Sequence, residues 1–306
     1  MAKRKQVAEK DDSGSESDNP TSIDLTFDFF DPNPNVDYHA IHRLLLQLFH
    51  TDAAIFNPHA LVELILSQPL VGTTVKASDG GMEGDPMSLL TVLNMRVHKA
   101  HESIKAIEEY ALKKSESDPV FNGLLKSILA KEEGEGDVGL IISERLINMP
   151  PQIAPPSYKM LANEIQWAID DAEPYQFSHY LFLSRAYVLT AEEEETMRVA
   201  SRGNKRQRLP IAGNSGSHSN SKKEGEGGGG TYPFHPEDDV IAAHALHTLD
   251  FAFTSTPSEP RDADSFGLDV RGRMMLVKAE RMGELVVAME EAYRVPGEGT
   301  SNSMEE

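Results

Sequence analysis

Histidines three residues apart are the first candidates for chemistry in this chain, because i, i+3 on a helix brings two imidazoles to one face, as a metal site requires. His98 and His101 have this spacing on an expected helix, and so do His39 and His42. His244 and His247 share it, but on a strand they would point to opposite faces. No carboxylate from a second element converges on any pair, so exposed or partly buried histidines are the plainer reading and no metal is expected. The chain has no cysteine, which excludes disulfides and thiolate metal sites. Glu144 and Arg145 could serve acid–base work, yet no positioned nucleophile or base lies near them in the sequence. They read as an ion pair at the end of a strand, and no catalytic residue is assigned.

Binding chemistry is better represented. The formal net charge is −20 over 306 residues. That argues against broad contact with nucleic acid, whose phosphates require clustered Lys and Arg. It suits a basic partner, although acidity also serves solubility. Screening over about 8 Å at physiological salt leaves local acidic patches, not the total charge, to do any binding. One patch is YPFHPEDD, with Phe234, His235, Glu237, Asp238 and Asp239. Its acids either complement the dipole of a helix starting there or meet a basic partner. The second is a stripe of Met160, Glu164, Trp167 and Asp171 at i, i+4, i+7 and i+11, which holds the chain's one tryptophan. The stripe is either a docking surface for a basic, partly apolar segment or a face covered by another element.

The elements that must position these residues alternate in type. Ile23, Leu25, Phe27 and Phe29 alternate with polar residues and mark a half-buried strand. Ile41, Leu44, Leu45 and Leu48 mark a helix, and residues 58–67 a second one. LVGTTVKASDGG and MSLLTVLNM read as two strands, followed by helices over about 97–114 and 119–131. A strand Val138–Ile142, continuing into SERLIN, then meets Pro150, Pro151, Pro155 and Pro156. These prolines stiffen a strand-to-helix crossover, with Pro155 or Pro156 in the first helical turn, where a missing N–H costs nothing. The helix after them buries Tyr158, Leu161, Ile165 and Ala168. QFSHYLFLSRAYVL is apolar on both faces, as a central strand should be. TLDFAFT and RMMLVKA add strands, and a last helix turns Met282, Leu285, Val286, Met289 and Tyr293 inward. The pattern implies one α/β (α+β) domain over 23–190 and 232–295, with a mixed central sheet flanked by helices.

Composition sets apart an acidic and basic tail over 1–22, a low-complexity linker over 191–231 inserted in the domain, and a tail over 296–306. Roughly 230 residues remain, an ordinary size for one domain. No apolar run approaches the about 18 residues of a membrane span, and the N-terminus lacks an apolar signal region, so neither membrane insertion nor secretion is expected. Lys3, Arg4 and Lys5, and Arg202 with Lys205, Arg206 and Arg208, fit nuclear-import signals. Ser13, Ser15 and Ser17 could accept phosphate within the acidic tail.

Four separated segments carry a resemblance to a known family: SIDLTFDFFDPNPNVDYHAIHRLLLQLF, GLIISERLINMPPQIAPPSYKMLANEI, QFSHYLFLSRAYVL and YPFHPEDDVI. In this order, over about 22–295, they resemble the BCCIP family, which includes fungal counterparts. The resemblance implies a fold similar to the GCN5-related acetyltransferases without an enzymatic role. It implies a nuclear protein, shuttling to the cytoplasm, that chaperones a basic large-subunit ribosomal protein in ribosome biogenesis. It also implies help in exporting a lipid kinase from the nucleus. Vertebrate members are named for binding a breast-cancer susceptibility protein and a cyclin-dependent-kinase inhibitor, so a scaffold in DNA repair or cell-cycle control is a further reading. A monomer without cofactor is expected.

The acetyltransferase likeness raises acyl transfer as the competing function. Acetyl-CoA sites of that superfamily resemble Arg/Gln-x-x-Gly-x-Gly/Ala between a strand and a helix, where free N–H groups hold the pyrophosphate. Arg294 to Gly299 fits the letters but holds Pro296 and has no helix after it. Lys131 to Gly136 is a near miss whose glutamates would repel phosphate. Neither supports a cofactor.

Overall fold

The computed structural model describes residues 26–79, 82–131, 136–203, 229–254 and 268–294. In chain order the elements are β1 (Thr26–Phe30), α1 (Tyr38–Phe49), α2 (Pro58–Leu66), β2 (Thr73–Asp79), β3 (Met82–Glu83) and β4 (Ser88–Asn94). Then come α3 (Glu102–Lys114), α4 (Pro119–Leu129), β5 (Asp137–Arg145), α5 (Ala154–Asp170), β6 (Phe177–Val188) and α6 (Ala191–Gly203). The chain closes with β7 (Thr231–Pro233), α7 (Glu237–His244), β8 (His247–Ala252), β9 (Asp269–Lys278) and α8 (Met282–Ala292).

The strands form one open sheet in the order β1-β2-β4-β5-β6-β9-β8, with β3 added beside β2 and β7 beside β6. Every described pairing is antiparallel except β5 with β6. A parallel pair cannot be joined by a tight turn, so the chain must cross the sheet between them, and α5 is that crossover. The prolines act there as their chemistry requires. Pro151 opens a single 3₁₀ turn, and Pro155 and Pro156 lie in the first turn of α5, whose N–H groups have no intrahelical acceptor. Gly139 to Arg145, by contrast, is an internal strand.

Alternation along the central strands separates two cores. Leu89 and Leu93, Leu140 and Ile142, Leu181 and Leu183, and Met274 and Leu276 face α1 to α4. Leu90 and Val92, Ile141, Tyr180 and Phe182, and Met275 and Val277 face α5, α7 and α8. The result is a mixed sheet between two helical layers, the architecture read from the sequence.

Three expectations need correction. Composition places residues 191–231 in a linker, yet α6 occupies Ala191–Gly203 and β7 begins at Thr231. Thr190 and Glu193 form a reciprocal capping box: Thr190 N–H donates to Glu193 Oε2 at 2.8 Å and Glu193 N–H to Thr190 Oγ1 at 3.2 Å. At the far end, a Cβ at Gly229 would run into the Leu189 carbonyl, and one at Gly230 would lie 2.9 Å from Glu194 Oε1. Glycine is needed at 229 because this backbone returns against the end of β6. The third helix starts at Glu102 instead of 97, because His101 caps it by accepting from Ser103 N–H at 3.3 Å. His98 and His101 therefore do not share a helix face. Among the described residues no helix is long and apolar enough to cross a membrane.

Candidate functional site

One expected binding patch, YPFHPEDD, meets the sheet where β5 and β6 part. The two strands pair from Asp137 opposite Phe177 to Ile141 opposite Phe182. Beyond that point β5 stays with β4 as far as Arg145, while β6 takes β7 as its neighbour at Ala186 to Val188. The opening is filled with charge. Glu144, 2 % exposed, receives Arg185 Nη2 at 3.1 Å on one oxygen. Its other oxygen meets His235 Nε2 at 2.5 Å and Gln47 Nε2 at 2.9 Å. Burial alone would raise the Glu144 carboxyl, but the His235 bond and the Arg185 charge outweigh it and hold the group below the ordinary carboxylate range.

Arg145 points the other way, since successive strand residues face opposite sides of a sheet. It forms a two-pronged bond to Glu237, Nε to Oε1 at 2.8 Å and Nη2 to Oε2 at 2.9 Å, and donates to the Met149 carbonyl at 2.8 Å. Glu144 and Arg145 are thus not each other's side-chain partners. Each holds a segment far along the chain, 91 residues away for His235 and 92 for Glu237.

This geometry decides the fate of YPFHPEDD. His235, Glu237 and Asp238 are buried, so they cannot form an exposed acidic knot; Phe234 is half-buried and Asp239 exposed. Asp238 accepts a hydrogen bond from Ser184 of β6. Burial and the neighbouring Glu237 charge push its carboxyl up to about 7. The three acids do begin α7, as their helix-start reading requires. Below the segment, the Arg185 guanidinium lies 4.5 Å from the centre of the Phe234 ring.

The α5 stripe is also divided. Glu164 is buried and accepts from Gly72 N–H and Thr73 Oγ1, both at 2.9 Å, tying α5 to the start of β2. Burial raises its pKa against those two bonds. Met160 is half-buried. Trp167 is 65 % exposed, with the exposed Asp170 and Asp171 one turn further on. Of the expected stripe, Trp167 and Asp171 face solvent, and Asp170 joins them.

The histidines are otherwise employed. His42 of α1 stacks on His59 of α2 with ring centres 4.2 Å apart, and Tyr38 Oη bonds His59 Nδ1 at 2.8 Å. His244 donates from Nδ1 to the Val240 carbonyl, and His247 stacks on Phe121. Among the described residues, no three His, Asp or Glu side chains are grouped to hold a metal ion. Lys3, Arg4, Lys5, Lys205, Arg206, Arg208 and the tail serines lie outside the described residues, while Arg202 falls in the last turn of α6. Most of both glycine motifs, 132–135 and 295–299, also lies outside them.

Gln47, Ser184, Arg185 and Arg273 escape the sequence reading, because each joins the network only through a partner on a distant element. Arg273, for instance, grips Asp250 across β8 and β9 at 2.7 and 3.0 Å. The Thr190-x-x-Glu193 spacing is the one local signal that could have revealed α6.

Fold and site together define a three-layer α/β protein whose buried charges are spent on closing its own sheet, leaving tryptophan and carboxylates outside. Comparison with known proteins gives the family. The BCCIP family model matches residues 22–241, and the chain belongs to that family. Protein bcp1 of Aspergillus fumigatus is 37 % identical over 279 residues, covering 90 % of this chain and 89 % of that protein. Protein bcp1 of Schizosaccharomyces pombe is 36 % identical over 276 residues, covering 89 % and 90 %. The crystal structure of BCP1 from Saccharomyces cerevisiae has the same fold, with a TM-score of 0.57 and 21 % identity over 92 % of this chain and 97 % of that one. Membership supports a non-enzymatic, protein-binding nuclear role in general.

Proposed function

We propose that this chain is a nuclear adaptor and chaperone that shields a basic large-subunit ribosomal protein before assembly and assists nuclear export of protein cargo such as a lipid kinase. It acts as a monomer, shuttles to the cytoplasm, and needs no cofactor, nucleic acid or membrane contact. The observation that carries this reading is Trp167, 65 % exposed beside Asp170 and Asp171 in a chain of net charge −20. An exposed tryptophan flanked by acids offers a cationic client both a π face and counter-charge, while carboxylates replace the RNA phosphates the client would otherwise seek. Acyl transfer gains nothing from the opening between β5 and β6, where Glu144, Arg145, Arg185 and Glu237 are all engaged in ion pairs.

The test is co-purification and light scattering with a basic large-subunit ribosomal protein over a salt series. Wild type should bind it and suppress its aggregation at moderate salt. Trp167→Ala should bind more weakly while melting within about 0.5 kcal/mol of wild type, as exposed substitutions do. Unchanged binding by Trp167→Ala removes the α5 surface; no client binding by wild type removes the chaperone role.

A further inference from the structure

Beside the outer end of β6 lie three aromatic rings that neither core absorbs. Tyr187 stands opposite Tyr232 across the β6–β7 ladder, with ring centres 5.7 Å apart and planes at 27°. Phe234 meets Tyr187 edge-on at 5.3 Å and 71°. All three are half-buried. The underside of Phe234 is taken by Arg185, itself neutralised by Glu144.

A carboxylate flanks the rings on one side. Glu194, in the first turn of α6, accepts the Tyr232 hydroxyl at 2.8 Å. Burial raises both the Tyr187 and Tyr232 phenols, and the Glu194 carboxylate raises Tyr232 further, to about 12. Aromatic faces already attract cations, and added carboxylates deepen that preference. An acidic segment would be repelled, and a purely apolar one would strand the tyrosine hydroxyls and Glu194.

We infer that Tyr187, Tyr232 and Phe234, rimmed by Glu194, form a second docking platform that takes an arginine- or lysine-bearing extended segment of the basic client. This rests on the adaptor reading and adds a contact separate from Trp167. The structural reason is that Thr190 caps α6 directly after β6 while β7 pairs with the end of β6, so the rings and Glu194 arrive together.

A fluorescein-labelled peptide alternating Gly and Arg, titrated against the full chain by anisotropy, tests it. Wild type should bind in a salt-sensitive manner. Tyr187→Leu with Tyr232→Leu should weaken binding about 2- to 30-fold per ring, whereas Tyr187→Phe with Tyr232→Phe should keep most of it. If the leucine pair misfolds, Glu194→Gln leaves the rings in place and should still weaken binding. Trp167 is the only tryptophan, so its emission reports the α5 surface separately.

Wild-type affinity in a folded leucine pair, with Trp167 emission shifting, would overturn the platform and leave the adaptor reading intact. Salt-independent binding would overturn it in favour of an apolar ligand. Tighter binding after neutralising Lys205, Arg206 and Arg208 would make the chain's own basic stretch the occupant and overturn the client assignment. No peptide or client binding by wild type would remove both.

Discussion

Glu144→Gln is the sharpest test of the charge network in the opening between β5 and β6. The substitution keeps shape and volume but replaces a charged oxygen by an NH₂ group. Glu144 is the counter-charge for Arg185, and their side chains are 1 % and 8 % exposed. Water therefore cannot substitute for the lost carboxylate, and the new amide would face donors from Arg185, Gln47 and the Arg145 N–H. Breaking one side of a buried pair costs about 3–5 kcal/mol, against a total of about 5–15 kcal/mol for a typical domain. Most of that loss comes from stranding Arg185, so Glu144→Leu with Arg185→Met should recover a large part of it. A double-mutant cycle by urea denaturation at pH 7 should give a coupling of about 0.5–3 kcal/mol. A Glu144→Gln loss under about 1 kcal/mol, or additive single substitutions, would show that the pair is solvated and that the sheet closes by other means.

Three further outcomes follow from the same packing. Asp238 has a folded pKa raised to about 7, so its contribution is fully present below the ordinary carboxylate range and is lost as pH rises through 7. Asp238→Asn should gain stability over wild type from pH 5 to 8 in paired melts; a difference that does not change with pH would refute it. Gly272→Ala should cost about 1–3 kcal/mol, because the Phe251 ring from β8 covers the Gly272 backbone where a Cβ would sit, and Phe251→Ala should relieve part of the loss. Thr190→Ala should cost about 1 kcal/mol, read as faster amide exchange in the first turn of α6 with little change in the global melt. Unchanged exchange there would mean the capping box does not hold the helix.

Local patterning made much of the fold legible. Alternation in TLDFAFT and periodicity in Ile41, Leu44, Leu45 and Leu48 reproduce β8 and α1, because strand and helix periods are properties of neighbouring residues. The prolines before α5 were readable for the same reason. Composition misled at 191–203, where glutamates and a following glycine-rich stretch masked a helix start that Thr190 and Glu193 encode. It also left Glu144 and Arg145 as a pair, although adjacent strand residues face opposite sides.

The sequence alone determined most element types and their order, the family and the excess of negative charge. Which charges reach solvent was decided only by the tertiary structure. Glu164, Glu237 and Asp238 are as acidic in the sequence as Asp170, Asp171 and Asp239, yet the first three are buried and the others exposed. The difference lies in partners on other elements: Gly72 and Thr73 for Glu164, Arg145 for Glu237, and Ser184 for Asp238. Burying a carboxylate is unfavourable unless hydrogen bonds or an opposite charge meet it, and here those partners arrive only once the sheet has assembled.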